Sequence, residues 1–151
     1  MNRKEIVGSG GKIGRVAAPF LIAGVILNIL APSFFSVGGP SVVVRAVSVV
    51  ILTVGIATWM WSGYLIATKV PRKELITNGP FSVVKHPLYT AVALLVAPSV
   101  GILFNTWLGV LVGLVVYAGS RIYSPEEEKL LSRSFGTGWD EYCSKVKLPW
   151  I

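Results

Sequence analysis

The chain has 151 residues, 53% of them hydrophobic and 14% charged, with mean hydropathy +0.68, which excludes an ordinary water-soluble globule. Its net charge of +7 falls where cytoplasmic membrane loops would carry it, so it reads as topology and anionic-lipid contact rather than nucleic-acid binding. A single cysteine, Cys143, excludes an intrachain disulfide framework, and with one histidine beside it no metal site is expected.

Met1 to Lys12 is polar, with the flexible run Gly8-Ser9-Gly10-Gly11. Residues 13–30 are apolar apart from Arg15 and Asn28, a reach of about 27 Å as a helix, close to the hydrocarbon thickness of a bilayer. This run leads into Asn28 and a Pro32-Ser33 turn rather than a small-residue cleavage site, so a retained helix is expected. Ala31 to Ser41 holds Pro32, Gly38, Gly39 and Pro40 without a charge and reads as a short external turn. Residues 42–68 form a longer apolar run, with Trp59, Trp61 and Tyr64 placed to sit at an interface. Lys69 to Lys85 is polar and broken by Pro71 and Gly79-Pro80. Residues 88–104 and 106–123 are two more apolar runs joined only by Asn105, which predicts an antiparallel helical hairpin with a kink at Pro98.

Residues 124–151 turn polar and helical. Ser124, Pro125 and Glu127 form a capping-box pattern for a new helix, Gly136 ends it, and Thr137 to Asp140 opens another. Two short amphipathic tail helices are predicted, lying on the membrane or folding over the bundle. The expected fold is therefore all-α, one integral membrane helical bundle over 1–151 with about four transmembrane helices plus C-terminal amphipathic helices.

Charge placement sets the expected orientation. Of 14 Lys and Arg, four lie at or before the start of the first run, four between the second and third, and five after or closing the fourth. Only Arg45 falls on the other side, and all seven acids share the basic side. The positive-inside rule then puts both termini in the cytoplasm, with Arg45 snorkelling to the outer surface.

Spanning a membrane does not explain three features. Gly79-Pro80-Phe81 is followed by Lys85-His86-Pro87-Leu88-Tyr89 at the start of the third run. The helix start there leaves free N–H groups, a seat for a carboxylate or phosphate, although a Gly-Pro turn with interfacial His86 and Tyr89 would read the same. The acids Glu126-Glu127-Glu128 exceed what capping needs, so Arg121 and Lys129, or a ligand, must answer them. The third feature is the apolar tail stripe, Leu131, Phe135, Trp139, Tyr142 and Val146. Nothing supports Cys143 as a nucleophile.

In this order, these residues resemble the integral membrane methyltransferases that include isoprenylcysteine carboxyl methyltransferase and the phospholipid methyltransferases. The resemblance rests on Gly79-Pro80-Phe81, Lys85-His86-Pro87-Leu88-Tyr89, Glu127-Glu128, Leu131, Phe135-Gly136, Trp139, Tyr142 and Val146, and covers roughly residues 75–151. Lys85 stands where arginine is commoner, and Ala91 where a glycine often follows.

The resemblance implies methyl transfer from S-adenosylmethionine to a lipid-like or prenylated acceptor, a carboxylate or an amine, at the cytoplasmic face. It implies a cofactor-binding part within 75–151, with Lys85, His86, Pro87 and Tyr89 meeting the cofactor from the helix start and Glu127 and Glu128 holding its amino group or ribose. Glu128 is also the catalytic candidate, with Arg121 as a cation beside the acceptor. Two alternatives stand beside this one. An NADPH-dependent enzyme similar to sterol reductases would share His86-Pro87-x-Tyr89 and Trp139-x-x-Tyr142-Cys143-x-x-Val146. A non-catalytic membrane scaffold would need none of these residues for chemistry.

Overall fold

The computed structural model describes residues 10–148, and every extended element among them is helical. The helices are α1 (Gly10–Leu30), α2 (Pro32–Phe35), α3 (Val42–Lys69), α4 (Pro87–Leu103), α5 (Leu108–Phe135) and α6 (Thr137–Lys145). Three apolar stretches, Gly10–Leu30, Val42–Arg72 and Leu108–Phe135, are long enough to cross a membrane. A fourth apolar helix, α4, is shorter, at 17 residues. The protein is an all-α membrane bundle.

α1 packs against α5, α5 against α4, and α4 against α3, so the chain order α1, α3, α4, α5 becomes the spatial order α1, α5, α4, α3. Large side chains on α1 and α3, such as Phe20, Ile29, Val43 and Met60, point outward, as lipid permits. Most of the residues that face inward on these two helices are small, Ile13 and Leu65 excepted. On α3 the buried positions include Ser48, Gly55 and Ser62, seven residues apart, on one stripe. Lipid gives no hydrophobic drive to helix association, so close backbone approach and dispersion hold the bundle, and small residues allow both.

The hairpin of α4 and α5 takes this furthest. A Cβ on Gly101 would lie 2.7 Å from the Gly109 Cα, and one on Gly109 or Gly113 would overlap the carbonyl oxygens of Ala97 or Ala93. Ala93 belongs to a widened π turn, Ala91–Val96, in the middle of α4. Pro98 lies two residues beyond that turn and brings no N–H to the helix ladder. The predicted proline kink is therefore taken up as a π segment, in which the Ala97 N–H reaches back to the Val92 carbonyl.

At the nearly charge-free end, the two turns close on each other. Asn105, at φ 56°, accepts at Oδ1 from the Gly39 N–H (2.9 Å) and donates through Nδ2 to Ser36 (2.8 Å). The Phe35 carbonyl accepts from the Trp107 N–H at 3.0 Å, and their rings meet at 5.3 Å.

At the basic end, α5 departs from the sequence reading. It does not stop at Tyr123 but runs unbroken through Ser124 and Pro125 to Phe135, so no capping box forms and the tail contributes one separate helix, α6, instead of two. Pro125 removes the N–H that the Arg121 carbonyl would accept and its ring crowds that carbonyl, but Arg121 is exposed, where polar surroundings can compensate. Continuity is rewarded further on, because Leu131 and Phe135 pack against Trp139, Tyr142 and Val146 of the returning tail, with Leu75 from the segment between α3 and α4. Gly136 (φ 52°) makes the corner between α5 and α6, as the sequence suggested, and α6 begins without a side-chain cap.

The tail then clamps the segment 70–86. Tyr142 donates to the Phe81 carbonyl at 2.9 Å, and the Leu148 N–H reaches the Val83 carbonyl at 2.9 Å. Gly79 (φ 61°) lets that segment turn tightly under Trp61, whose ring would be 3.0 Å from a Cβ there. Tyr142→Phe is expected to cost roughly 1 kcal/mol, one net hydrogen bond, visible as a modest fall in melting temperature in detergent. An unchanged melting temperature would show that the clamp rests on packing alone.

Candidate functional site

The polar residues singled out by sequence come together where the start of α4 meets the polar end of α5. His86 occupies the cap position of α4 and Pro87, almost fully buried, begins its first turn. The Thr90 N–H bonds to the His86 carbonyl at 3.1 Å, so the cap residue is held by the helix it opens. Its imidazole Nε2 lies 3.1 Å from Glu128 Oε1, and Lys85 Nζ lies 2.8 Å from the same carboxylate. The Lys85 and His86 side chains are 17% and 13% exposed and Glu128 29%, so the trio is largely shielded from water. The ring of Tyr89 stacks near His86, with centroids 6.0 Å apart at 21°.

Glu127 lies close enough to Tyr89 for the two to interact electrostatically. Arg121 is two turns back from Glu128, about 10 Å along the axis on the same stripe of α5, and is exposed. The sequence offered Arg121 and Lys129 as cations for the three acids. The structure adds cations from distant parts of the chain: Lys12 pairs with Glu126, on which Lys129 also acts, and Lys85 pairs with Glu128. Lys12 also stands over the Tyr123 ring at 5.8 Å, and Gly10 lies against Tyr89, so the first turn of α1 covers one side of the site.

One residue of this region was not singled out by sequence. Ser124 is 6% exposed, and among the described residues its hydroxyl is the buried side-chain polar atom without a hydrogen-bond partner. In the sequence it looked like a helix cap, which hid it.

A cavity of about 320 Å³ lies elsewhere, between Thr77 and Ser82 of the segment 70–86 and Gly138, Glu141 and Lys145 of α6. It holds none of Lys85, His86, Tyr89, Glu127 and Glu128, and its Glu141–Lys145 pair is satisfied within one helical turn. The shielded cluster is therefore the candidate site, not this cavity. Cys143, beside it in the tail, has its thiol pushed up by burial, which argues against a nucleophilic thiolate. Among the described residues no group of histidine, cysteine and carboxylate side chains could hold a metal ion.

Fold and cluster together define a membrane-embedded helical protein with its ionisable groups gathered at one end of the bundle. The chain belongs to the phospholipid methyltransferase family, whose profile matches residues 34–138. The match extends further toward the N-terminus than the resemblance read from motifs, taking in α3, and stops just before Trp139. No curated protein and no solved structure matches the chain. Membership implies S-adenosylmethionine-dependent methyl transfer to a lipid-type substrate.

The residues present suit that donor. It carries an ammonium, a sulfonium and ribose hydroxyls, and the site offers two adjacent carboxylates and a buried, unpartnered hydroxyl one turn from Glu128. Glu128 accepts from two donors, and a carboxylate has room for more.

Proposed function

We propose that the protein transfers a methyl group from S-adenosylmethionine to the polar head of a lipid at the cytoplasmic face of its membrane, with both termini on that side. The observation that carries this reading is the Lys85–His86–Glu128 cluster at the junction of α4 and α5. Glu127 and Glu128 would hold the amino group or ribose of the donor, and Lys85, His86, Pro87 and Tyr89 would line its seat from the start of α4. The bound donor would supply an electrophilic methyl group, transferred by in-line displacement.

The chain's own task is then alignment, exclusion of water and management of one proton. The hydrophobic faces of α4 and α5 would admit a lipid tail from the side, leaving its head level with His86. For an amine acceptor a proton must leave. His86 Nε2 is held by Glu128, so Nδ1 is the ring nitrogen left to face the acceptor, and the carboxylate would stabilise the imidazolium that results. For a carboxylate acceptor no base is needed, and the same pair would serve only to orient. Arg121, exposed two turns away, would attract the anionic part of the lipid head.

The decisive measurement is equilibrium binding of labelled S-adenosylmethionine and of labelled NADPH to the purified protein in detergent. Retention of S-adenosylmethionine, lost in Glu127→Ala, is expected. Retention of NADPH alone would support the reductase-like alternative, and retention of neither would support a scaffold. Labelled methyl transfer into a mixture of phospholipids and prenylated peptides, with mass identification of the product, then names the acceptor.

A further inference from the structure

Three of the buried serines in this bundle satisfy their hydroxyls locally. The hydroxyls of Ser48, Ser62 and Ser120 each donate to a carbonyl about one turn back, on Val44, Thr58 and Tyr117, at 2.9, 2.7 and 2.7 Å. That local bond is open to any helical serine and satisfies the hydroxyl inside an apolar bundle. Ser124, on the same helix as Ser120 and equally buried, does not make it. Leaving a buried hydroxyl unpaired is unfavourable, so a position that keeps one calls for a partner supplied from outside the chain.

Its placement says what that partner is. At 100° per residue, Ser124 projects from α5 about 40° from Glu128 and about 60° from Glu127, between the two carboxylates and one turn deeper. The first turn of α4, with the buried Pro87, packs on this part of α5. The groups within reach of such a hydroxyl are those that the neighbouring carboxylates would also accept, the N–H and O–H donors of a ligand.

We infer that Ser124 is a further binding residue for the methyl donor, its buried hydroxyl accepting a hydrogen bond from an ammonium or ribose hydroxyl of S-adenosylmethionine seated against Glu127 and Glu128. This inference rests on the methyltransferase reading and adds a residue to it.

The test titrates S-adenosylmethionine into the wild type, Ser124→Ala and Ser120→Ala by calorimetry in detergent, and melts each ligand-free protein. Ser124→Ala is expected to raise Kd about tenfold, equivalent to about 1.4 kcal/mol, while its ligand-free melting temperature stays level or rises. The opposite signs matter, because removing an unsatisfied hydroxyl should not harm the empty fold. Ser120→Ala, whose hydroxyl already has a carbonyl partner, is expected to leave Kd within twofold. Wild-type affinity in Ser124→Ala would overturn the inference and leave the methyltransferase reading standing. A fall in affinity that only follows a fall in melting temperature would also overturn it, by making the role structural. A wild-type protein that does not bind S-adenosylmethionine would remove both.

Discussion

Glu128→Gln is expected to lower methyl transfer at least a hundredfold while the protein still folds. The substitution keeps the shape of the side chain but removes the charge shared by Lys85 at 2.8 Å and His86 at 3.1 Å. Hydrogen bonds to charged groups contribute about 1.5–3 kcal/mol each, so weakening both accounts for a loss of that size. Lys85, largely shielded, would lose its counter-charge, and the imidazole would lose the group that fixes its orientation and stabilises it when protonated. Glu141→Gln is the matched control. Among the described residues its carboxylate pairs with Lys145, four residues on, both side chains are mostly exposed, and such pairs contribute little. Transfer of labelled methyl into lipid is the measurement. If Glu128→Gln kept more than a third of wild-type activity with Kd unchanged, the cluster would be a structural ion pair and the proposed roles of its residues would fall.

Gly113→Val is expected to have the largest effect on folding, at least about 3 kcal/mol, beyond the usual range for overpacking. A Cβ at Gly113 meets the Ala93 carbonyl oxygen, and the Pro98 Cδ lies 3.4 Å away. Neither neighbour is a flexible side chain that could swing aside. The obstacle is the backbone of the π turn, itself wedged on its other side against Gly55 of α3, where a Cβ would lie 2.8 Å from Leu95 Cβ. Loss of monodisperse protein or a steep fall in melting temperature in detergent would register the effect. Gly63→Ala on α3 is the contrast, since nothing lies within 4 Å of that position, and there the better helix propensity should leave stability level or slightly higher. Equal tolerance at Gly113 and Gly63 would mean that α4 and α5 do not approach as closely as described.

By itself the sequence determined the environment and the elements. Long apolar runs, uncharged turns at 31–41 and near 105, and basic residues gathered on one side are statements about single segments meeting lipid or water, and such statements survive folding. The Lys-His-Pro-x-Tyr start of α4 and the acids after Ser124 were legible for the same reason, since capping and dipole arguments act within a few residues. Tertiary structure decided the partners. Glu128 is answered from 43 residues away and Glu126 from 114 residues away, separations at which no local pattern operates. It also decided that α5 runs through Pro125, because the apolar contacts that reward continuity come from α6 and the segment 70–86, not from the helix itself. In a bilayer the apolar pattern records depth but not direction, since a lipid-facing and a helix-facing leucine look alike. The facing surfaces are legible instead where glycine and serine let backbones touch, and, among the described residues, at the buried hydroxyl of Ser124 that has no partner.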